Sequence, residues 1–496
     1  MEYHLLTYSL LFLPAVVILY QLVQKRYRFI VLLAADYIFF WMVSKWLIVY
    51  LFIATLATYG TGRVLDYVSE HSSVKGKQLT KRKRCVLAAG IFVTLGMLVI
   101  FKYLKVFGIT LLAPIGISYY TLQTISYMTD VYRGTVKADK NLARTALYLS
   151  FFPQIMEGPI SRYSETAESL FSGSSIEYNN LVYGYQRILW GLFKKMMVAD
   201  RLAPVIFKIF GDYERYDGSA VTVAVICYTF QLYTEFSGGM DIILGSGEIF
   251  GVKLPENFRQ PFFADSAGDF WRRWHITLGT WLKDYIFYPI SLAKPVKKLA
   301  KKVKGVWGIN VSKFVAPTIA LFFVWLSNGI WHGAGWTYLF YGMYYFVLIF
   351  LENITEAPRK KWIARMHINT EKIGWRLLTG VKLFVIINLG EMFFRAETVA
   401  QGFGMLGKIC TDFHISVLKE ADIGLDKYDI ILAVASLFVV FLVDIIHEKG
   451  ISIRNKVASF KMPLRWSFWY AVIFLIVIFG AYGAGYTIVD MIYAAY

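Results

Sequence analysis

A chain that returns again and again to apolar runs of membrane-crossing length has few ways to fold, and this one does so along its whole length. The runs occupy roughly residues 5–23, 29–43, 47–60, 86–101, 109–128, 146–160, 181–198, 221–232, 314–327, 336–351, 381–394, 430–445 and 466–480. They are continuous rather than amphipathic stripes, which is the signal of membrane spans. Only 17% of the residues are charged, against about a quarter in soluble domains. A span needs about 20 residues, and several runs are shorter, so some tilt, borrow aromatic flanks or stop short of crossing. The expectation is an all-α polytopic transmembrane bundle of about eleven crossings plus re-entrant or interfacial helices. A bundle grows by adding spans to one body, so residues 1–496 read as a single integral membrane domain. No Lys/Arg-rich segment precedes the first run and no small-residue cleavage pattern follows it, so it reads as a retained span.

The formal net charge is +18. In a soluble protein that would favour nucleic-acid partners. Here the Lys/Arg runs at 25–28, 75–84, 294–304 and 359–361 lie between apolar stretches, so a multi-pass cell-membrane protein obeying the positive-inside rule accounts for them. With the N-terminus outside, all four runs fall in the cytoplasm, and the loop 396–428, with Glu420, Asp422 and Asp426, falls outside. Counting charges does not resolve residues 100 to 290. Cys85, Cys227 and Cys410 are isolated, which excludes a disulfide framework or a CxxC zinc site.

The segment 253–294 is aromatic, Pro-punctuated and charged. Trp and Tyr favour the membrane–water interface, and Lys and Arg stems snorkel beside them. Short helices in or dipping into the cytoplasmic interface are expected there.

Of the seven histidines, five (His4, His71, His367, His414 and His447) fall in loops or at span ends, where imidazole is comfortable in water. His332 lies in "VWLSNGIWHGAGWTYLFYG", between two apolar runs. A polar group at that depth is either a functional residue or an interhelical hydrogen-bonding contact. Gly329, Gly333 and Gly335 strip bulk from both sides, so a backbone or a ligand can approach. Asn328, four residues earlier, shares a helix face with His332 and can orient its ring. Trp331 and Trp336 are expected to wall the site. A neutral imidazole in a dry pocket suits general-base activation of a hydroxyl.

His275 follows Trp271-Arg272-Arg273-Trp274, with Lys283 and Asp284 downstream. It is either an interfacial histidine or part of a cationic mouth in which Arg272, Arg273 and Lys283 meet a phosphate-bearing donor. Asp130, Glu157, Glu235 and Asp241 are further polar groups at membrane depth. For Glu235 and Asp241, pairing with Arg133 or Arg162 stands beside capping of a broken helix or substrate binding. Glu391 interrupts the apolar "INLGEMFFRAE" and has no evident role. No Gly-rich phosphate loop, HExxH, GxSxG or CxxC motif is present.

These pieces occur in a known order: "PIGISYYTLQTISYMTDVYRG", "FFPQIMEGPISRY", "GLFKKMMVADRL", "YTEFSGGMDIILGSGEIFG", "NFRQPFFADSAGDFWRRWHITLGTWLKDYIFYPI", "NGIWHGAGWTYLFYG" and "FFRAET". Together they resemble the membrane-bound O-acyltransferases, and within them the bacterial alginate O-acetyltransferase (AlgI-like) branch. The resemblance implies a helical membrane body around a central funnel or tunnel. It matches His332 to the family's catalytic histidine and His275 to the second histidine of the "WRRWH" segment. It also implies transfer of an acyl group, usually acetyl, from a cytoplasmic thioester such as acetyl-CoA, towards a polysaccharide hydroxyl outside. An SGNH-type extracytoplasmic partner is implied as well. The family's "FDFSGYSD" is "TEFSGGMD" here, so Glu235 stands where an aspartate is usual.

The expected chemistry is therefore acyl transfer. His332 acts as general base or transient acyl acceptor, with Asn328, Trp331 and Trp336 supporting it. His275, Arg272, Arg273 and Lys283 line the donor's entry, with no metal, redox cofactor or other bound group. D-alanyl transfer to teichoic acid from a carrier protein is a related alternative. A transporter or flippase is an alternative of a different class, although the internal repeats common in transporters are not evident.

Overall fold

The computed structural model describes residues 7–482 except 73, 110 and 417–421, so His4, Glu420 and the start of the first expected span lie outside the described residues. Among those described the chain is helical, and the one β-feature is an isolated bridge between Phe258 and Trp274. In chain order the helices that position the site are α1 (Arg28–Ser44), α2 (Ile48–His71), α3 (Lys77–Tyr103), α4 (Ile117–Arg133), α5 (Tyr178–Leu192), α6 (Gly218–Ile249), α7 (Ala267–Arg273), α8 (Ile276–Leu282), α9 (Lys294–Trp307), α10 (Ile309–His332), α11 (Trp336–Arg365), α12 (Ile373–Arg395), α13 (Lys427–Glu448) and α14 (Met462–Phe479).

Seven helical stretches among the described residues are long and apolar enough to cross a bilayer, with α1 and α2 joined in one of them. With that pair counted separately and the shorter apolar helix Tyr8–Leu22 added, these give nine apolar helices among the described residues, beside the about eleven crossings expected. Two of the apolar runs between 109 and 232 fall on helices that face protein: α4 buries 13 of its 17 residues and α6 buries 25 of its 32. Apolar runs signal burial, and burial in protein satisfies them as well as lipid does.

One contact fixes the relative direction of the spans. At the end of α3, Lys102 and Tyr103 hydrogen-bond the carbonyls of Trp331 and Ile330 at the end of α10. Two spans that meet at their C-terminal ends begin on the same side. The basic start of α3 and the lysine-rich α9, which leads into α10, therefore share one face. α11 returns from Trp336 to that face and brings Arg359, Lys360 and Lys361 with it. By the positive-inside rule this face is cytoplasmic.

α5 and α6 pack through small residues. A Cβ at Gly184 would lie 2.5 Å from the carbonyl oxygen of Gly245, and one at Gly191 would lie 2.4 Å from that of Gly238. Both pairs repeat at a seven-residue spacing, so the two backbones touch along one seam. The same device joins α10 to α11: a Cβ at Gly342 would lie 2.4 Å from the Trp325 carbonyl oxygen, and one at Gly329 would lie 2.5 Å from that of Tyr338. Of the glycines around His332, Gly329 thus admits a neighbouring backbone, while Gly333 makes room for the Tyr338 ring.

α6 runs unbroken through Glu235 and Asp241, which rules out a broken-helix cap. Both carboxylates are paired, though with neither Arg133 nor Arg162. Lys195 lies 3.3 Å from Glu235 and 2.7 Å from Asp200. Asp241 takes Arg187 at 3.0 Å and Lys194. Arg162 pairs instead with Asp284 at 3.2 Å, and Asp130 accepts the Tyr285 hydroxyl at 2.8 Å. The cations that pair with α6 are Arg187 of α5 and the two lysines of "GLFKKMMVADRL" just after it, all brought beside α6 by the α5–α6 seam.

Candidate active site

The short helices α7 and α8 follow α6 and are drawn into the body rather than resting at its edge. Ser266 caps α7 by accepting the Asp269 N–H at 3.1 Å. Glu352 of α11 accepts the N–H groups of Ala267 and Gly268 at 2.9 and 3.1 Å. A carboxylate at a helix N-terminus meets the positive end of its dipole. Trp281 of α8 donates its indole N–H to the Leu122 carbonyl at 2.9 Å.

His275 is the hinge between α7 and α8. Its φ is +46°, the left-handed region that few non-glycine residues adopt. Asn257 holds it there. The Asn257 Oδ1 accepts from the Thr277 N–H at 3.0 Å, from the Thr277 hydroxyl at 3.0 Å, and lies 3.2 Å from His275 Nδ1. A backbone N–H can only donate, so that side-chain atom is the amide oxygen. His275 Nδ1 must then carry the proton, which leaves Nε2 as the acceptor of the neutral ring. Burial pushes the imidazole down to about 3.

His332 ends α10 and is buried, with only 5% of its surface exposed. Its ring faces Trp331 at 5.0 Å, Phe394 at 5.0 Å, Tyr341 at 6.0 Å and Tyr338 at 6.3 Å between centroids. The Trp331 indole is shared: His275 stands 5.8 Å from it, and Tyr119 of α4 stands 5.5 Å from it. The two histidines, 57 positions apart in sequence, are thereby brought around one buried ring.

The remaining sequence candidates divide. Asn328 is buried on the His332 face of α10, but its Oδ1 accepts no hydrogen bond, so it does not orient the imidazole by that route. Trp336 is 79% exposed and walls nothing. It begins α11, where the turn after Gly335 sends its ring outward, and Tyr338, Tyr341 and Phe394 take the place expected of it. Arg273 is held between Asp269 and Glu448, at 3.0 and 2.9 Å. Arg272 is exposed and paired with Asp269, and Lys283 lies over the Tyr288 ring. These three cations are on the same segment as His275, and none contacts His332.

Three residues at the site were not singled out as site residues in the sequence. Asn257 sets the His275 tautomer. Lys102 is buried, bonded to Ser118 Oγ at 3.3 Å and to the Trp331 carbonyl, and stands over the Trp331 ring. Tyr341 links the His332 wall to Glu391 by a 3.1 Å hydrogen bond.

The site's two histidines, with Trp331, Lys102 and Tyr341, fall inside residues 39–390, which match the model of MBOAT, the membrane-bound O-acyltransferase family; Phe394, at the end of α12, lies just beyond the match. The chain belongs to that family. Among its relatives, a protein named "Probable alginate O-acetylase AlgI" from Pseudomonas syringae pv. tomato is 31% identical over 448 residues, which is 86% of this chain and 79% of that one. A peptidoglycan O-acetyltransferase from Helicobacter pylori is 31% identical over 70% of this chain and 69% of its own. A teichoic acid D-alanyltransferase from Bacillus subtilis is 29% identical over 51% of this chain and 62% of its own. This chain is accordingly a multi-pass membrane O-acyltransferase, and both histidines sit within the segment that matches the family.

Proposed function

We propose that this acyltransferase takes an acetyl group from a cytoplasmic thioester, acetyl-CoA or a thioester of similar chemistry, and passes it across the membrane. Its destination is O-acetylation of a cell-envelope or extracellular polysaccharide, with an SGNH-type extracytoplasmic protein as partner. The observation that carries the reading is the pair of buried histidines around Trp331, with Lys102 beside the same indole.

The acceptor hydroxyl oxygen attacks the thioester carbonyl carbon. As the C–O bond forms, the hydroxyl proton passes to the imidazole of His332. The tetrahedral intermediate collapses, the C–S bond breaks, and the departing sulfur takes that proton. Negative charge develops on the carbonyl oxygen, and the Lys102 ammonium is the cation closest at hand to oppose it. The apolar wall of Trp331, Tyr341 and Phe394 excludes water that would otherwise compete as the acceptor. His275, with Nε2 as acceptor, and the cations Arg272, Arg273 and Lys283 serve the donor's approach from the basic face.

Extensive similarity to proteins named as O-acetylating enzymes, over 86% of the chain for one and 70% for another, supports acetyl over D-alanyl. The test is the His332→Ala protein, purified and reconstituted, assayed for thiol release from acetyl-CoA and for glycan acetylation in cells. Loss of both, with insertion and melting temperature unchanged, is expected. Undiminished glycan acetylation would overturn the assignment.

A further inference from the structure

α9 carries six lysines and no acidic residue in 14 positions, and the acyl-transfer reading makes no use of it. Its sequence, KPVKKLAKKVKGVW, places lysines at 294, 297, 298, 301, 302 and 304. Val296, Leu299, Ala300, Val303 and Val306 recur at helical spacing and form an apolar stripe between them. No residue of the helix is buried. Part of the stripe leans on α10, where Ser312 donates to the Ala300 carbonyl at 2.7 Å. The rest is open: Val306 is 72% exposed and Trp307 68%.

The lysines have no counter-charge. None of them forms an ion pair among the described residues, and the sequence has no Asp or Glu from Tyr285 to Leu351. Six like charges on four turns repel one another. Such a helix is stabilised when something anionic lies along it.

The position of α9 says what that is. It precedes a span directly, on the face that also carries the basic ends of α3 and α11. Its exposed apolar residues Val306 and Trp307 run on into Ile309 and Val311, the exposed start of α10. A span begins at the level of the headgroups, so this apolar surface continues into lipid while the lysines stand among phosphates. A soluble acidic protein would meet the lysines but not the apolar continuation.

We propose that α9 lies in the plane of the cytoplasmic leaflet and binds anionic phospholipid headgroups through Lys297, Lys298, Lys301 and Lys302, with Leu299, Val306 and Trp307 set into the acyl boundary. The binding is electrostatic on one side and hydrophobic on the other. It therefore weakens, without vanishing, as salt is raised.

The experiment is amide hydrogen exchange on the full chain in nanodiscs of phosphatidylcholine, with and without phosphatidylglycerol. Exchange across residues 294–307 is expected to slow by about tenfold or more with the anionic lipid, and to recover in high salt. The variant with Lys297, Lys298, Lys301 and Lys302 all changed to Gln should lose the dependence on lipid charge while keeping wild-type exchange in α6. Equal exchange in both lipids would overturn the proposal. So would lipid dependence that persists in the Gln variant, or slowing in neutral nanodiscs on adding polyglutamate that exceeds the effect of phosphatidylglycerol. The readout is independent of catalysis, so it stands or falls apart from the role of His332.

Discussion

Tyr341 donates its hydroxyl hydrogen to Glu391 Oε1 across 3.1 Å, joining α11 to α12 inside the body. The same tyrosine ring stands at 86° to His332, so the Glu391 carboxyl fixes one wall of the site from behind. Glu391 takes part in no ion pair among the described residues, and its Oε2 has no hydrogen-bond partner. Its charge is therefore not what the wall needs; its acceptor is. Glu391→Gln keeps an acceptor of the same reach and should retain activity within about twofold. Glu391→Leu removes the acceptor of the buried Tyr341 hydroxyl, and losing a buried hydrogen bond of this kind costs about 1–3 kcal/mol. It should lower kcat with little change in KM for the thioester. Tyr341→Phe combined with Glu391→Leu should be no worse than Glu391→Leu alone, because both remove one bond. Additive losses would contradict the linkage.

Asn257 is predicted to act on catalysis only through His275. Replacing it with Ala removes the acceptor that holds Nδ1–H and frees the ring to take the other tautomer. It also strands the Thr277 N–H, at a cost of about 1–3 kcal/mol. The expected result is a lower melting temperature and a fall in kcat, with the thioester still bound. Asn257→Asp keeps the oxygen and should restore most of the lost rate. If Asn257→Ala lost stability but kept full kcat, the amide would be a structural tie only.

The pH dependence of stability carries a signature of the same histidine. In the unfolded chain His275 titrates near 6.5, whereas in the native protein burial lowers it to about 3. Above pH 6.5 both states hold the ring neutral and the native state suffers no penalty. As pH falls below 6.5 the unfolded state takes up a proton that the native state refuses, so stability declines until the native ring titrates. The slope is about 1.4 kcal/mol per pH unit for one such group. Thermal unfolding at pH 7 and pH 5 should show the wild type losing more stability than His275→Phe, and equal losses would place the ring in water.

Much of this was legible in the sequence, and the misses have physical causes. Helical character was readable because each buried or lipid-facing segment must satisfy its own backbone. His332 stood out because apolar sequence surrounds it. Lys102 did not, because a lysine just after an apolar run reads as an ordinary flanking charge until the end of α3 is seen against residue 331. Trp336 was misjudged for the opposite reason: closeness in sequence to His332 suggested a wall, but a helix start between them turns the ring away. For Glu235 and Asp241 pairing is one of the readings the sequence allows, but with Arg133 or Arg162; their actual partners Lys195, Lys194 and Arg187 lie 40 to 54 positions earlier. No local pattern announces a pairing made by two glycine-lined helices meeting along a seam.

The last prediction concerns the glycines that seat His332. Gly342 sits on α11 where a Cβ would come within 2.4 Å of the Trp325 carbonyl oxygen. That obstacle is backbone, so no rotamer change relieves it. Gly342→Ala must push α11 from α10 or tilt it. Overpacking of this kind costs about 1–3 kcal/mol. The displacement falls between Trp325 and His332, on the face where Tyr341 and Tyr345 meet α10, so it should shift the His332 walls as well as destabilise the hairpin. Gly335, whose added Cβ would meet its nearest atom at 3.4 Å, is the control. Gly335→Ala should leave melting temperature and thiol release near wild type, while Gly342→Ala lowers both. If the two variants behaved alike, close backbone approach would not be what those glycines provide.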